Sequence, residues 1–105
     1  MKYLLILLLF VIPPKLKGTW TDKTDKSSKL IITDSEFILK NGSHKETFNF
    51  KLINKLDWYS PEESEYIMAF NNEDTLYYEI MGVSDNKLSL LYIRDGGVTN
   101  NFYVK

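Results

Sequence analysis

The chain has 105 residues, which is enough for one domain around a single hydrophobic core. It contains no cysteine, so disulfide bonds, thiolate nucleophiles, cysteine-bound zinc and the acylated cysteine of a lipoprotein are all excluded. The net charge of −1 argues against a nucleic-acid-binding surface that works by neutralising phosphates.

The N-terminus has the pattern of a targeting segment. A lysine at position 2 precedes an unbroken apolar run over residues 4–12, and two prolines follow at 13–14. A short positive end before such a run is typical of a signal peptide, and the run is about half of the roughly 20 residues that a transmembrane helix needs. We therefore expect a signal-peptide-like segment over 1–15, export to the periplasm or secretion, and no stable transmembrane anchor. No small residues mark a cleavage point, and a buried N-terminal helix or strand is the alternative.

Residues 16–105 predict a single all-β domain. Apolar and polar residues alternate, turn residues recur every eight to twelve positions or so, and no helical period extends beyond one turn. Asn41-Gly42 is a strong hairpin signal, because both residues tolerate the positive φ of a type I′ turn. We predict eight strands, over 16–21, 29–33, 36–40, 44–53, 65–70, 75–83, 87–94 and 100–105.

Short connections favour an antiparallel up-and-down meander of about eight strands. Closing this meander into a small barrel is the most direct way to hide the edges of the outer strands. The alternation places one set of side chains inside: Trp20, Leu30, Ile32, Phe37, Leu39, Phe48, Phe50, Leu52, Met68, Phe70, Leu76, Tyr78, Ile80, Leu88, Leu90, Tyr92, Phe102 and Val104. Side chains of this size fill most of a small barrel, so a large cavity is not implied.

The first strand carries a resemblance to a known family. It reads Leu-Lys-Gly-Thr-Trp over residues 16–20, which resembles the Gly-x-Trp opening of the calycins, the superfamily of lipocalins and fatty-acid-binding proteins. The resemblance implies a small lipocalin-like barrel in which Trp20, next to Gly18, plugs one end. It also implies that a cation from a late strand, Arg94 or Lys105, packs across the indole, a contact worth about 0.5 to 2 kcal/mol.

No group of residues predicts catalysis, a metal site or a cofactor. His44 is the single histidine, and its neighbour Ser43 points to the opposite face of a strand, so the two cannot form a catalytic dyad. The acidic residues over 57–65 belong to an exposed loop in which nothing desolvates a carboxylate. Residues 71–74 are rich in oxygen but lack the spacing of a calcium loop. We therefore predict that the protein is not an enzyme.

Aromatic residues beside a proline-bearing loop are the candidate binding residues. Trp58 and Tyr59 stand where large rings are seldom needed for packing, and exposed aromatics are typical of binding surfaces. The predicted ligand or partner site comprises Trp58, Tyr59, Glu62, Glu63 and Tyr66. Because the Gly-x-Trp pattern closes one end of the barrel, we place this site at the other end. The alternative is that Trp58 only covers an open barrel end.

Two functions fit this domain. One is an exported lipocalin-like protein that binds a small apolar or amphipathic ligand in its mouth. The other is a protein-binding barrel, such as an inhibitor or an immunity-type protein, that acts through loop aromatics. Lysines outnumber acidic residues nine to five over 15–55, whereas acidic residues outnumber basic ones nine to three over 56–105. This asymmetry either keeps the surface soluble or steers a charged partner. We expect a monomer with no nucleic-acid partner.

We predict that export depends on the apolar run over 4–12. Replacing Leu5 and Leu8 by arginine should keep the protein in the cytoplasm, because a charged run no longer works as a signal sequence. Cell fractionation and immunoblotting measure the outcome. Two arginines placed in the polar connection over 22–28 serve as the control and should leave export unchanged. Normal export of the Leu5 and Leu8 variant would show that the run is structural instead.

Overall fold

A computed structural model describes residues 13–105 and shows an all-β domain. Its strands are β1 (Gly18–Asp22), β2 (Ser28–Ile32), β3 (Glu36–Asn41), β4 (His44–Ile53), β5 (Tyr66–Phe70), β6 (Thr75–Val83), β7 (Lys87–Arg94) and β8 (Gly97–Val104). The predicted antiparallel meander closing into a small barrel is confirmed. The expected signal-peptide run over 4–12 lies outside the described residues. Within 13–105, no helix is long and apolar enough to cross a membrane.

The sheet closes because β1 pairs with β8 in addition to its neighbour β2. This closing seam is short: Thr21 pairs with Val104, and Asp22 pairs with Tyr103. Strand direction alternates along the chain, so the β1–β2, β3–β4, β5–β6 and β7–β8 connections share one end of the barrel. We call it the open end. The start of β1 lies with the β2–β3, β4–β5 and β6–β7 connections at the other end, which we call the plugged end.

The β3–β4 hairpin turns one residue later than the sequence suggested. Asn41 pairs with His44 as the last residue of β3, and its φ is not positive. The two turn residues are Gly42 and Ser43, and only Gly42 has a positive φ, of 60°. A glycine at the first turn position is typical of a type II′ turn rather than the type I′ turn that we expected.

Apolar side chains that face inward fill the barrel. The main core cluster consists of Leu16, Trp20, Leu30, Ile32, Phe37, Phe48, Phe50, Ile67, Ala69, Tyr78, Leu88, Leu90 and Tyr103. At its centre, the ring centroids of Phe37 and Tyr78 lie 5.1 Å apart, and those of Tyr78 and Tyr92 lie 5.2 Å apart. Each buried side chain of this size contributes roughly 1.5 to 3 kcal/mol to stability. Tightly packed aromatic rings therefore form the middle of the core.

In β5 the prediction of the inward face is wrong. Ile67 and Ala69 are buried in the core, whereas Met68 and Phe70 belong to the opposite face. Both faces of this strand carry apolar side chains, so alternation alone does not choose between them. The choice is made by strand pairing, which sets Ala69 opposite the inward-facing Phe50.

In β8 the inward face is also the reverse of the prediction. Tyr103 is buried, and Phe102 is 51% exposed, although we expected Phe102 and Val104 inside. Leu88 of β7 is part of the core and pairs with Tyr103. Residues directly opposite each other in a sheet share a face, so the β7–β8 register sends the tyrosine inward.

Trp20 lies at the plugged end and is fully buried. Its indole Nε1–H donates a hydrogen bond of 3.0 Å to the carbonyl of Leu16. Leu16 is itself buried, and its N–H donates a hydrogen bond of 3.0 Å to the Pro13 carbonyl. The Lys105 Nζ atom lies 4.8 Å from the centroid of the Trp20 ring. The indole therefore has a partner for its polar atom and a cation over its face.

Gly18 leaves the space through which Lys105 reaches the indole. A Cβ atom at position 18 would lie 2.5 Å from the Lys105 Cε atom, and the φ of Gly18, 142°, disfavours other residues. Arg94, the other candidate cation, is the last residue of β7 at the open end, where it lies beside Trp58. The suggestion that Arg94 packs on Trp20 is therefore wrong.

We predict that Trp20 and Lys105 are energetically coupled. Trp20→Ala removes a buried ring and should lower the free energy of unfolding by about 3 to 5 kcal/mol. Lys105→Ala removes only the cation and should lower it by about 0.5 to 2 kcal/mol. The double variant should lose less than the sum of the two, as measured by urea unfolding.

Arg94→Ala is the matched control for this cycle, and its effect should add to that of Trp20→Ala. If Lys105→Ala is also additive with Trp20→Ala, the contact seen between the two side chains contributes no energy, and the resemblance to the calycins loses its main physical support.

Candidate functional site

The β4–β5 connection folds back along the outer wall of the barrel. Its Leu56 side chain is buried against Tyr66 and Ile93, which face outward from β5 and β7. The N–H groups of Tyr59 and Ser60 both donate to the Leu56 carbonyl, at 3.0 and 2.9 Å, and form a tight turn. Leu56 therefore anchors the connection to the outer wall by burying its apolar side chain against residues of β5 and β7.

Four aromatic rings meet on this wall. The Trp58 ring lies edge-on to Tyr77, with the centroids 5.1 Å apart, and Tyr59 lies edge-on to Tyr66 at 6.4 Å. Edge-to-face pairs at these distances are attractive, yet Trp58 remains 55% exposed and Tyr59 37% exposed. We call Trp58, Tyr59, Tyr66 and Tyr77 the wall aromatics. Of these four, Trp58 and Tyr59 are open to solvent, whereas Tyr66 is buried beneath them at 1% exposure.

Carboxylates border the wall aromatics. Glu62 and Glu63 line a shallow depression together with Tyr66 and Glu79. The Ser64 hydroxyl donates a hydrogen bond of 2.6 Å to Glu79. Burial, together with the charge of Glu79, raises the pKa of Tyr66. The structure thus brings the five predicted binding residues close together, but only four of them are exposed, because Tyr66 is buried against Leu56 and Ile93.

The position of this surface differs from the one we predicted. We expected it at the barrel end opposite Trp20, but the β4–β5 connection leaves the barrel at the plugged end and runs along the outer wall. Glu62 and Glu63 therefore lie near the plugged end, and only Trp58 reaches the open end, beside Arg94. In an up-and-down meander, every connection from an even to an odd strand shares an end with the start of β1. The loop was therefore bound to emerge on the same side as the plug.

The open end holds a pocket of about 270 Å³, which we call the mouth. Leu39, Tyr78 and Tyr103 form its apolar floor. Lys29 and Lys40 line the pocket as well, and the rest of its rim consists of polar residues that continue the inward-facing positions of five strands: Asp22, Ser28, Asn41, His44, Glu46 and Asn101. Because side chains alternate strictly along a strand, these rim residues lie on the same face as the buried core.

Hydrogen bonds hold parts of the rim in place. The Asn41 amide donates to the Ser28 hydroxyl at 3.0 Å. The Asp22 carboxylate accepts a hydrogen bond of 2.8 Å from the Thr24 N–H and so orders the β1–β2 connection. Glu46 is about half exposed and lies on the pocket side of β4. The rim therefore offers amide and hydroxyl groups together with two carboxylates.

Tyr78 and Tyr103 keep their protons at neutral pH. Burial, with a smaller effect of the Asp22 charge, raises the pKa of Tyr103 to about 12. Burial raises the pKa of Tyr78 as well. Tyr78 is only 4% exposed, and its hydroxyl has no hydrogen-bond partner within 13–105. No side-chain polar atom in that range is both fully buried and unpaired, so this hydroxyl must be reached by solvent. The Tyr78 hydroxyl therefore faces the mouth, where it can donate a hydrogen bond to a bound molecule or accept one from it.

The mouth is not evident from the sequence, because the residues of its rim resemble those of a solvent-exposed hairpin. His44 was considered only as a catalytic candidate, yet His44 and Glu46 lie four and two residues before the inward-facing Phe48. The alternation that identifies Phe48 also assigns these two residues to the inner face. Polar residues on the inward positions of several strand ends are thus the signal that predicts such a pocket.

No protein-family model, curated protein or solved structure matches the chain. Among the residues that the structure describes, no three His, Cys, Asp or Glu side chains are placed to hold a metal ion.

We predict that alkaline pH destabilises the fold through the mouth tyrosines. A tyrosine with a raised pKa holds its proton more tightly in the folded state, so its stabilising contribution is complete below about pH 10 and is lost as the pH rises towards 12. Urea unfolding at about pH 9 and about pH 11.5 should show a loss from Tyr103 on the order of 2 kcal/mol.

Tyr103→Phe should reduce this alkaline loss, because the variant has no proton to release at that position. Tyr59→Phe changes an exposed ring and should keep the pH dependence of the wild-type protein. The same dependence in all three proteins would contradict the assignment to Tyr103.

Proposed function

We propose that the protein is an exported, lipocalin-like barrel that binds a small amphipathic ligand in its mouth. The observation that carries the proposal is the contrast between the two ends. The plugged end is closed by the buried Trp20, which lies beneath Lys105. The open end has a pocket that the hydroxyl of Tyr78 faces. Convergent polar groups above an apolar floor are the usual form of a small-molecule site.

The size and lining of the mouth support a narrow class of ligand. Its volume of about 270 Å³ suits a small molecule rather than a large one. Leu39 and the rings of Tyr78 and Tyr103 offer apolar contact, and the carboxylates of Asp22 and Glu46 accept hydrogen bonds. Because Lys29, Lys40 and His44 also line the mouth, these features favour a small molecule with an apolar body and a polar end of either hydrogen-bonding type.

Two further features support the lipocalin-like and exported parts of the proposal. Gly18, Trp20 and Lys105 have the arrangement that the calycin resemblance implies, with the cation across the indole. The apolar run over 4–12, after a basic residue, supports export.

The wall aromatics favour a second candidate function, the binding of another protein. Trp58 stays 55% exposed although Tyr77 and Tyr59 hold its ring from two sides. Large, ordered aromatic rings are frequent anchors in protein interfaces. The adjacent carboxylates of Glu62 and Glu63 favour a basic partner through charge complementarity.

A pair of substitutions in β8 tests the mouth. Asn101 faces the mouth, whereas its neighbour Asn100 is exposed on the outer wall. Asn101→Phe should therefore fill the pocket, and Asn100→Phe is the matched control. For protein purified from its own host, we expect native mass spectrometry to show a small-molecule adduct on the wild type and on Asn100→Phe, but not on Asn101→Phe.

The same measurement separates the two candidate functions. The double variant Trp58→Ala and Tyr59→Ala should lose only about 1 kcal/mol of stability, because it removes edge contacts between exposed rings. A partner of protein mass that is retained by Asn101→Phe and lost from this double variant supports the second function. A small-molecule adduct that persists in Asn101→Phe refutes the mouth as the site, and a wild-type protein without any adduct contradicts both functions.

A further inference from the structure

A second pocket, of about 330 Å³, lies on the outer wall where β6, β7 and β8 run side by side. Gly82 pairs with Ser89, and Ser89 pairs with Phe102, so the three residues form one outward-facing row across the strands. The lining is mainly apolar, and Phe102 is 51% exposed. We call this pocket the outer groove; its main residues are Gly82, Ser89, Phe102 and Val104, with Lys23 and Lys87 at its sides.

The groove exists because position 82 has no side chain. A Cβ atom there would meet no atom within 4 Å, and Gly82 does not have a positive φ. Neither close packing nor backbone conformation therefore requires glycine at this point in β6. Glycine inside a strand, next to the irregularity between Ile80 and Gly82, is typical of a place where another molecule approaches the sheet.

Two lysines stand on either side of β8 along the groove. The Lys23 N–H donates a hydrogen bond of 2.8 Å to the Phe102 carbonyl, and Lys87 pairs with Val104 from the β7 side. Among the residues from 13 onward, neither lysine has a carboxylate within ion-pair distance. Their charges are therefore available to a bound molecule, while Phe102 and Val104 offer apolar contact between them.

We propose that the outer groove binds a single-chain anionic amphiphile, with its alkyl chain across Gly82 and Ser89 against Phe102 and its anionic group near Lys23 or Lys87. The groove spans two strand spacings from β6 to β8, about 10 Å, which suits a chain of medium length. Apolar contact with the groove favours binding of the alkyl chain, and the positive charges of the lysines favour binding of the anionic head group. The residues proposed to contact the amphiphile face outward, whereas the mouth opens from the barrel interior; Tyr103 is the one residue that lines both pockets.

Titration of sodium decanoate, kept below its micelle concentration, into isotopically labelled protein tests the proposal by NMR. The amides of Gly82, Ser89 and Phe102 should shift, and the amide of Asn41 in the mouth should not. Gly82→Leu fills the groove without backbone strain and should weaken binding by about tenfold or more. The matched control is Gly97→Leu, since Gly97 also has open space around it and no positive φ but lies at the β7–β8 turn.

The charge requirement is tested separately. Replacing Lys23 and Lys87 by glutamine should weaken decanoate binding by about threefold or more, because each surface charge contributes modestly. The neutral octyl glucoside should bind the wild-type protein more weakly than decanoate does. This pair of measurements also keeps the proposal testable if Gly82→Leu fails to fold.

Several outcomes would overturn the proposal. Shifts confined to the mouth amides, or equal affinity in Gly82→Leu and the wild type, would place decanoate elsewhere. Equal binding of octyl glucoside would remove the role of the lysines. Binding to phosphatidylglycerol vesicles without binding of monomeric decanoate would make this wall a membrane-contacting surface, and no binding of either would leave the groove without the proposed ligand.

Discussion

β1 and β8 meet over two residue pairs, and both ends of the barrel depend on this contact. Towards the plugged end, it brings Lys105 across Gly18 and onto the Trp20 ring. Towards the open end, it sets Asp22 beside Tyr103 in the wall of the mouth. Without the pairing, β1 and β8 would each present an open edge. Neither the plug nor the mouth would then have a complete wall.

The interior changes from apolar to polar along the barrel axis. On β1, the inward position after Trp20 is Asp22, and on β4 the inward positions before Phe48 are Glu46 and His44. Each polar side chain therefore lies at a strand end, where solvent reaches it and the free-energy penalty of burying a polar group is avoided. This change in polarity would also orient an amphipathic molecule in the mouth, because its apolar part would enter first.

Local signals in the sequence predict the strands and their order, because turn residues such as Gly42 and the alternation between them act over short distances. Which face of a strand is buried depends on register with distant strands, and it cannot be read where both faces are apolar, as at Met68 and Ala69. The ring pair of Trp58 and Tyr59 was recognisable from its composition. Its position on the wall depends on the topology of the whole sheet, which no local pattern contains.

The shortness of the closing seam has a consequence for motion. Two residue pairs join β1 to β8, whereas eight pairs join β7 to β8. Local opening is easiest where the fewest hydrogen bonds and contacts must break, so we expect the barrel to open first along this line. Such an opening parts Asp22 from Tyr103 and leaves the other strand pairs intact. For the ligand proposed to bind in the mouth, this seam would serve as a lateral gate, through which exchange with solvent needs no unfolding of the domain.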